Sequence, residues 1–170
     1  MMYLQKFITK NIFIVILIAF SQLQSQRTLT VGGTNWTVTI PSITEAGDNY
    51  AGTYESSTSQ IILAASVPLL LTNGKVSMHY TANPVWNSNL ILSAKRTGDG
   101  TTTCVACSIS GGTTYTIIPP TADIELFRIT AVLALASYSN IPVQLQLSGV
   151  SVTLPAASYN SQIVFTISDL

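Results

Sequence analysis

Side chains suited to the two faces of a β-strand alternate along this chain in short runs, and turn formers separate the runs. Trp36, Val38 and Ile40 alternate with Asn35, Thr37 and Thr39, and Val143, Leu145 and Leu147 with Gln144 and Gln146. A period of two is the mark of a strand with one wet face. Further runs lie at 60–67, 75–81, 89–96, 113–118, 150–154 and 162–168. Asn73-Gly74, Gly98-Asp99-Gly100, Gly111-Gly112, Pro119-Pro120 and Ser148-Gly149 punctuate them, and these residue types favour turns. Many short strands at close spacing predict an all-β antiparallel sandwich. In 124–137, Leu126, Ile129, Val132, Leu133 and Ala136 also satisfy a helical spacing. Strand is the favoured reading there and helix the alternative.

The first 26 residues belong to a different object. Lys6 and Lys10 precede the apolar run Ile12 to Phe20, and small and polar residues follow it. That pattern predicts a cleaved signal peptide over 1–26 and a single domain over 27–170. The run is too short for a permanent membrane anchor, which needs roughly 20 apolar residues. Export places the protein in the periplasm, on the outer-membrane surface or outside the cell. Removal of 1–26 leaves Arg27, Lys75, Lys95, Arg96 and Arg128 against seven acidic residues, a net charge of −2. No basic stripe remains to neutralise phosphates, which argues against nucleic acid and anionic membrane as partners. With so few charges, solubility must rest on hydroxyls and side-chain amides: of the whole chain's 22 Thr and 19 Ser, 21 and 17 lie after residue 26.

Catalytic parts are scarce. His79 is the single histidine, and nothing in the sequence selects a serine or carboxylate to join it as a triad would require. Its plain role is a strand-surface histidine. Glu45 and Asp48 flank Gly47 in a loop without the regular ligand spacing of a calcium site, so neither a metal nor a cofactor is expected. Asp99 reads as part of a tight hairpin turn. The sequon Asn35-Trp36-Thr37 is incidental beside a bacterial-looking leader.

Cys104-Val105-Ala106-Cys107 is the one sharp motif. In an exported chain it reads first as a disulfide between Cys104 and Cys107, with free thiols or a redox or metal role as alternatives. Residues i and i+3 of a flat strand face opposite ways, so closure requires a turn or bulge. Two segments also echo each other, Ser59 to Ser66 and Ser161 to Ser168, each preceded by a tyrosine, Tyr54 and Tyr159. Read as two similar strand entries, each has a tyrosine whose ring packs while its hydroxyl reaches a backbone group; the alternative is chance similarity of two β-rich segments.

The segment Ile43 to Tyr50, the Arg96 to Gly100 turn, Ser148 to Val152 and the closing Tyr159 to Ser168 strand resemble uncharacterised exported β-sandwich proteins of Bacteroidota. The tail Ala157 to Ile167 is more distantly similar to the final strand of fimbrial subunits and of spore coat protein U-like domains. That similarity implies an immunoglobulin-like sandwich and assembly by donating a strand to a neighbour. The donor would be Thr28 to Gly33, where Leu29 and Val31 alternate on a short N-terminal extension.

These features predict a non-enzymatic, exported structural or adhesive surface protein, a fimbrial-like or matrix subunit that associates with itself or with other surface proteins. The alternative is a secreted module that binds a glycan or other ligand. Its stacking residues would be Trp86, in a loop-like stretch beside amides, and Tyr80, with Trp36 and Tyr115 as further candidates.

Overall fold

In the computed structural model the described residues are 27–50, 52–68, 73–131 and 136–170. The expected leader, 1–26, lies outside them. Eleven strands and no helix form among the described residues, and two antiparallel sheets pack into the expected sandwich. In 124–137 the strand reading holds for the described residues, which enter β9 (Ile124–Ala131) and β10 (Ala136–Ser148).

β10 is the spine of the larger sheet. On one side it pairs with β3 (Ile61–Val67) and then β2 (Thr53–Glu55), on the other with β5 (Ile91–Arg96) and then β6 (Thr101–Thr102). β1 (Thr28–Gly33) extends the sheet beyond β3, and β8 (Thr116–Ile117) beyond β5. The smaller sheet runs β11 (Ser161–Ser168), β4 (Asn73–Ala82), β9, β7 (Cys107–Ser110). From β3 onward every change of sheet is a crossing: β4, β7, β9 and β11 lie in one sheet and β5, β6, β8 and β10 in the other. The ladders β3/β10, β4/β9 and β5/β8 are therefore nested, in the manner of a jelly roll. This connectivity, within the sandwich class, differs from the order of an immunoglobulin domain.

The breaks in β10's partners have local causes. Between β2 and β3 the ladder is kept by Ser56: its amide donates to the Leu145 carbonyl at 2.9 Å, and its hydroxyl accepts from the Leu145 amide at 2.8 Å. Between β5 and β6 the cause is Pro142. Its carbonyl accepts the Thr97 amide at 3.0 Å, so its nitrogen, which carries no hydrogen, faces the same side and the ladder gives way there. A bulge lies just upstream, where the register shifts between Tyr138 and Ile141 and Asn140 adopts φ 56°. The Gly98-Asp99-Gly100 segment is thus a bridge along one strand position and not the hairpin expected. Arg96, 4 % exposed, secures it by an ion pair with Asp99 and by donating to the Gly111 carbonyl at 3.2 and 3.0 Å.

Asn73-Gly74 also departs from its expected role, since it opens β4 instead of making a turn. The reason is space: a Cβ on Gly74 would come within 2.7 Å of the Val67 side chain. The two sheets are in close contact here, beside Val67, Val76, Ile129 and Ile141, none of which is accessible.

Cys104 and Cys107 form a disulfide with a Cα separation of 5.5 Å. The required turn is present at Val105-Ala106, where the chain passes from β6 to β7.

Two outcomes are expected in urea denaturation. Gly74→Ala should lower stability by about 1–3 kcal/mol, because the added methyl overpacks the sheet interface. Replacing both cysteines by serine should cost at most about 2 kcal/mol, because the closed loop is so short; a larger loss would mean that the bridge holds more than its own turn.

Candidate functional site

Two alternating runs that read as strands form no ladder. Trp36, Val38 and Ile40 are half-buried against the core while Asn35, Thr37 and Thr39 are exposed, so the alternation is physically present without a partner strand. Residues 150–154 join no ladder either and make a turn, the Leu154 amide donating to the Ser151 carbonyl at 3.1 Å. Both segments wall one cleft, of about 1940 Å³, which exceeds the roughly 300–1,000 Å³ of ordinary small-ligand pockets.

The cleft enters the sandwich from the end opposite Gly74. Its floor comes from the larger sheet and the chain beside it, Leu90, Leu92, Leu145, Leu147 and Val150, and Ile163 and Phe165 of β11 face them. The floor residues retain 5–9 % of their surface, whereas the core near Val67 and Val76 is closed to solvent. The core is therefore sealed at one end and accessible at the other.

Several bonds hold the walls. Gln60 donates from Nε2 to the Thr34 carbonyl at 2.8 Å, anchoring the start of the Trp36 arm. Asn49 Oδ1 accepts from the amides of Tyr50 at 2.9 Å and Val152 at 3.2 Å, joining the end of that arm to the opposite wall. The Asn83 amide donates to the Asn160 carbonyl at 2.9 Å, and the Asn160 amide to the Val85 carbonyl at 3.1 Å, which fixes the loop bearing Trp86 beside β11. The Asn83–Pro84 peptide in that loop is cis.

Trp86 is half-buried and lines the cleft, with its Nε1 donating to the Leu90 carbonyl at 3.1 Å. Its ring lies 5.6 Å from that of Tyr80, tilted by 54°. The two expected stacking residues are thus brought together, and Trp36 joins Trp86 in the lining while Tyr80 stands behind it. Tyr159 also lines the cleft and donates its hydroxyl to the Pro155 carbonyl at 2.7 Å, as the echo of the two strand entries implied. Tyr54 packs on the core, but its hydroxyl bonds no backbone group among the described residues. Among the described lining residues the charged ones are Glu45 and Asp48, both acidic.

The remaining sequence candidates lie elsewhere. Leu29 and Val31 sit on β1, paired within the chain to Ala65 and Leu63; Leu29 is half-buried and Val31, 50 % exposed, faces the cleft. Tyr115 carries the Lys95 ammonium 4.3 Å above its ring. Its hydroxyl is covered and meets no partner in hydrogen-bond geometry, and burial pushes its pKa up to about 12, with the nearby Glu55 carboxylate adding to the rise. Cys104 and Cys107 lie outside the cleft lining.

His79 acquires the carboxylate that sequence reading could not select. Its Nδ1 is 2.6 Å from Asp123 Oδ1, and the Thr166 hydroxyl donates to Asp123 Oδ2 at 2.9 Å. The three come from β4, the approach to β9, and β11, and no local signal links them. Among the described residues no hydroxyl bonds the other ring nitrogen, and neither His79 nor Asp123 lines the cleft. The arrangement therefore reads as a cross-strand polar clasp. No group of three or more metal-capable side chains occurs among the described residues.

No family model, curated protein or solved structure matches this chain.

The hydrogen bond from His79, followed by that from Thr166, holds the Asp123 carboxyl below its ordinary value of 3.8. A depressed carboxylate contributes stability that is complete above its unfolded pKa and is lost as pH falls through the folded one. Asp123→Asn should therefore flatten the decline in stability below about pH 4, measured by thermal unfolding across pH 2–7; an unchanged acid limb would show the clasp to be energetically silent.

Proposed function

We propose that residues 27–170 form an exported, non-catalytic adhesive surface protein that holds its partner in the cleft between the Trp36 arm and the sandwich. The observation that carries this reading is the cleft itself: about 1940 Å³ in volume, bordered by both tryptophans of the chain, and reaching the interior of the sandwich. Concave sites lined by aromatic and aliphatic groups with a few polar ones are the usual form of ligand sites. Aromatic faces beside the amides of Asn83, Asn160 and Gln162 also suit a glycan, so a soluble carbohydrate-binding module is the nearest alternative. The leader over 1–26 supplies the surface or extracellular address.

A second reading is self-assembly through β1. It is favoured by one feature: Thr28–Gly33 is an edge strand that pairs, among the described residues, with β3 alone, and an edge with free backbone groups is a template for another chain.

Labelled protein purified after export should bind intact cells or a glycan array, and Trp86→Ala or Trp36→Ala should weaken that signal at least tenfold. Absence of binding to both, or binding indifferent to both substitutions, would refute the adhesive reading. Sedimentation at high concentration decides the second one: a strictly monomeric protein, with or without residues 27–34, rules out assembly through β1.

A further inference from the structure

We infer that the cleft binds the alkyl chain of a monomeric amphiphile whose polar head is uncharged or cationic. The inference rests on the binding reading above and adds the chemistry of the occupant. Its floor is aliphatic: Leu90, Leu92, Leu145, Leu147 and Val150 come from one side, with Ile163 and Phe165 opposite. Sugar rings present hydroxyls around their rims and would leave those groups unpaired against such a floor, whereas a methylene chain desolvates along its whole length.

Depth separates this site from a surface stacking platform. On the side of the larger sheet Leu90, Leu92, Leu145, Leu147 and Val150 retain only 5–9 % of their surface, and an alkyl chain is narrow enough to lie against a floor so nearly closed. The mouth differs in character. Asn83, Asn160, Ser158 and Gln162 offer amides and a hydroxyl, and Glu45 and Asp48 are the charged groups of the described lining. No lysine or arginine is present among those residues to receive a carboxylate, sulfate or phosphate. An anionic head would meet like charge, while a neutral or cationic one would be accepted.

Val31 and Val152 support the same assignment. Both line the cleft, yet they remain 50 % and 54 % exposed. Apolar side chains left uncovered in the lining are surface that a bound chain would cover.

The chain has two tryptophans, Trp36 and Trp86, and both line the site, so intrinsic fluorescence reports on it directly. Titration with dodecyl maltoside or dodecyltrimethylammonium, below their micelle concentrations, should give a saturable change. Each pair of methylenes removed, from dodecyl to decyl to octyl maltoside, should weaken binding roughly tenfold. Maltose should give no response, laurate should bind at least tenfold more weakly than the neutral ligand, and Glu45→Gln with Asp48→Asn should reduce that difference. Val31→Glu and Val152→Glu, at exposed positions the fold tolerates, should each weaken dodecyl maltoside at least tenfold with an unchanged melting temperature in its absence. Phosphatidylcholine vesicles should leave the protein in the supernatant.

The inference is overturned by an absent or chain-length-independent response, by laurate binding as well as the neutral ligand, by either valine variant binding like the parent, or by sedimentation with vesicles. A response to maltose equal to that of dodecyl maltoside overturns the alkyl assignment while leaving the adhesive reading intact. Loss of cell and glycan binding with the amphiphile response retained does the reverse.

Discussion

Hydrogen bonding along β10 organises the sheet that carries most of the core. This strand contributes Tyr138, Ile141, Val143, Leu145 and Leu147 to the interior and pairs with four others, two on each side. The pairing is costly to assemble, because the partners lie far away in sequence: β2 and β3 come roughly 80 residues earlier, and closing such loops precedes any gain from the contacts they permit. Once β10 is in place, its irregularities shape its surroundings. Pro142 removes a donor and the neighbouring strand divides into β5 and β6; the buried Arg96 then ties the resulting bridge to the Gly111 carbonyl. An arginine removed from water needs its hydrogen bonds met, so the bridge, the turn after β7 and the core edge depend on one another.

The same sheet explains why the sandwich is sealed at one end and open at the other. Gly74 lets the sheets meet at van der Waals distance beside Val67. At the far end the Trp36 arm and residues 150–154 lie across the gap as walls without joining either ladder. Apolar surface is left in contact with water there, against the general tendency of folding to bury it. Departures of this kind from local consistency are expected at functional positions, and this is the physical basis for proposing the cleft, and not the His79 clasp on the sheet's outer surface, as the site.

Local pattern made much of the fold legible. The runs at 60–67, 75–81, 89–96 and 162–168 all contain strands, and Thr101 to Ser110 is β-structure around a turn, as the cysteine spacing demanded. At 150–154 the chain turns and leaves Val152 exposed. At 36–40 alternation failed for an instructive reason: it reports which face of an extended segment is apolar, and this segment does turn Trp36, Val38 and Ile40 inward. It cannot report whether another strand is available to pair. Asn73-Gly74 misled because glycine serves close packing as well as turns, and only the position of Val67 distinguishes the two.

From the sequence alone came the class of the domain, the cysteine pair, the scarcity of charge and the aromatic residues later found around the cleft. Those properties depend on neighbours a few positions apart. Tertiary structure alone decided the nested strand order, the junction of His79 with Asp123 and Thr166, and the meeting of Trp36 and Trp86 around an open aliphatic floor. Each of these joins residues tens of positions apart, and such contacts are set by which strands compete successfully for β10 and for one another, a contest that no short window of sequence contains.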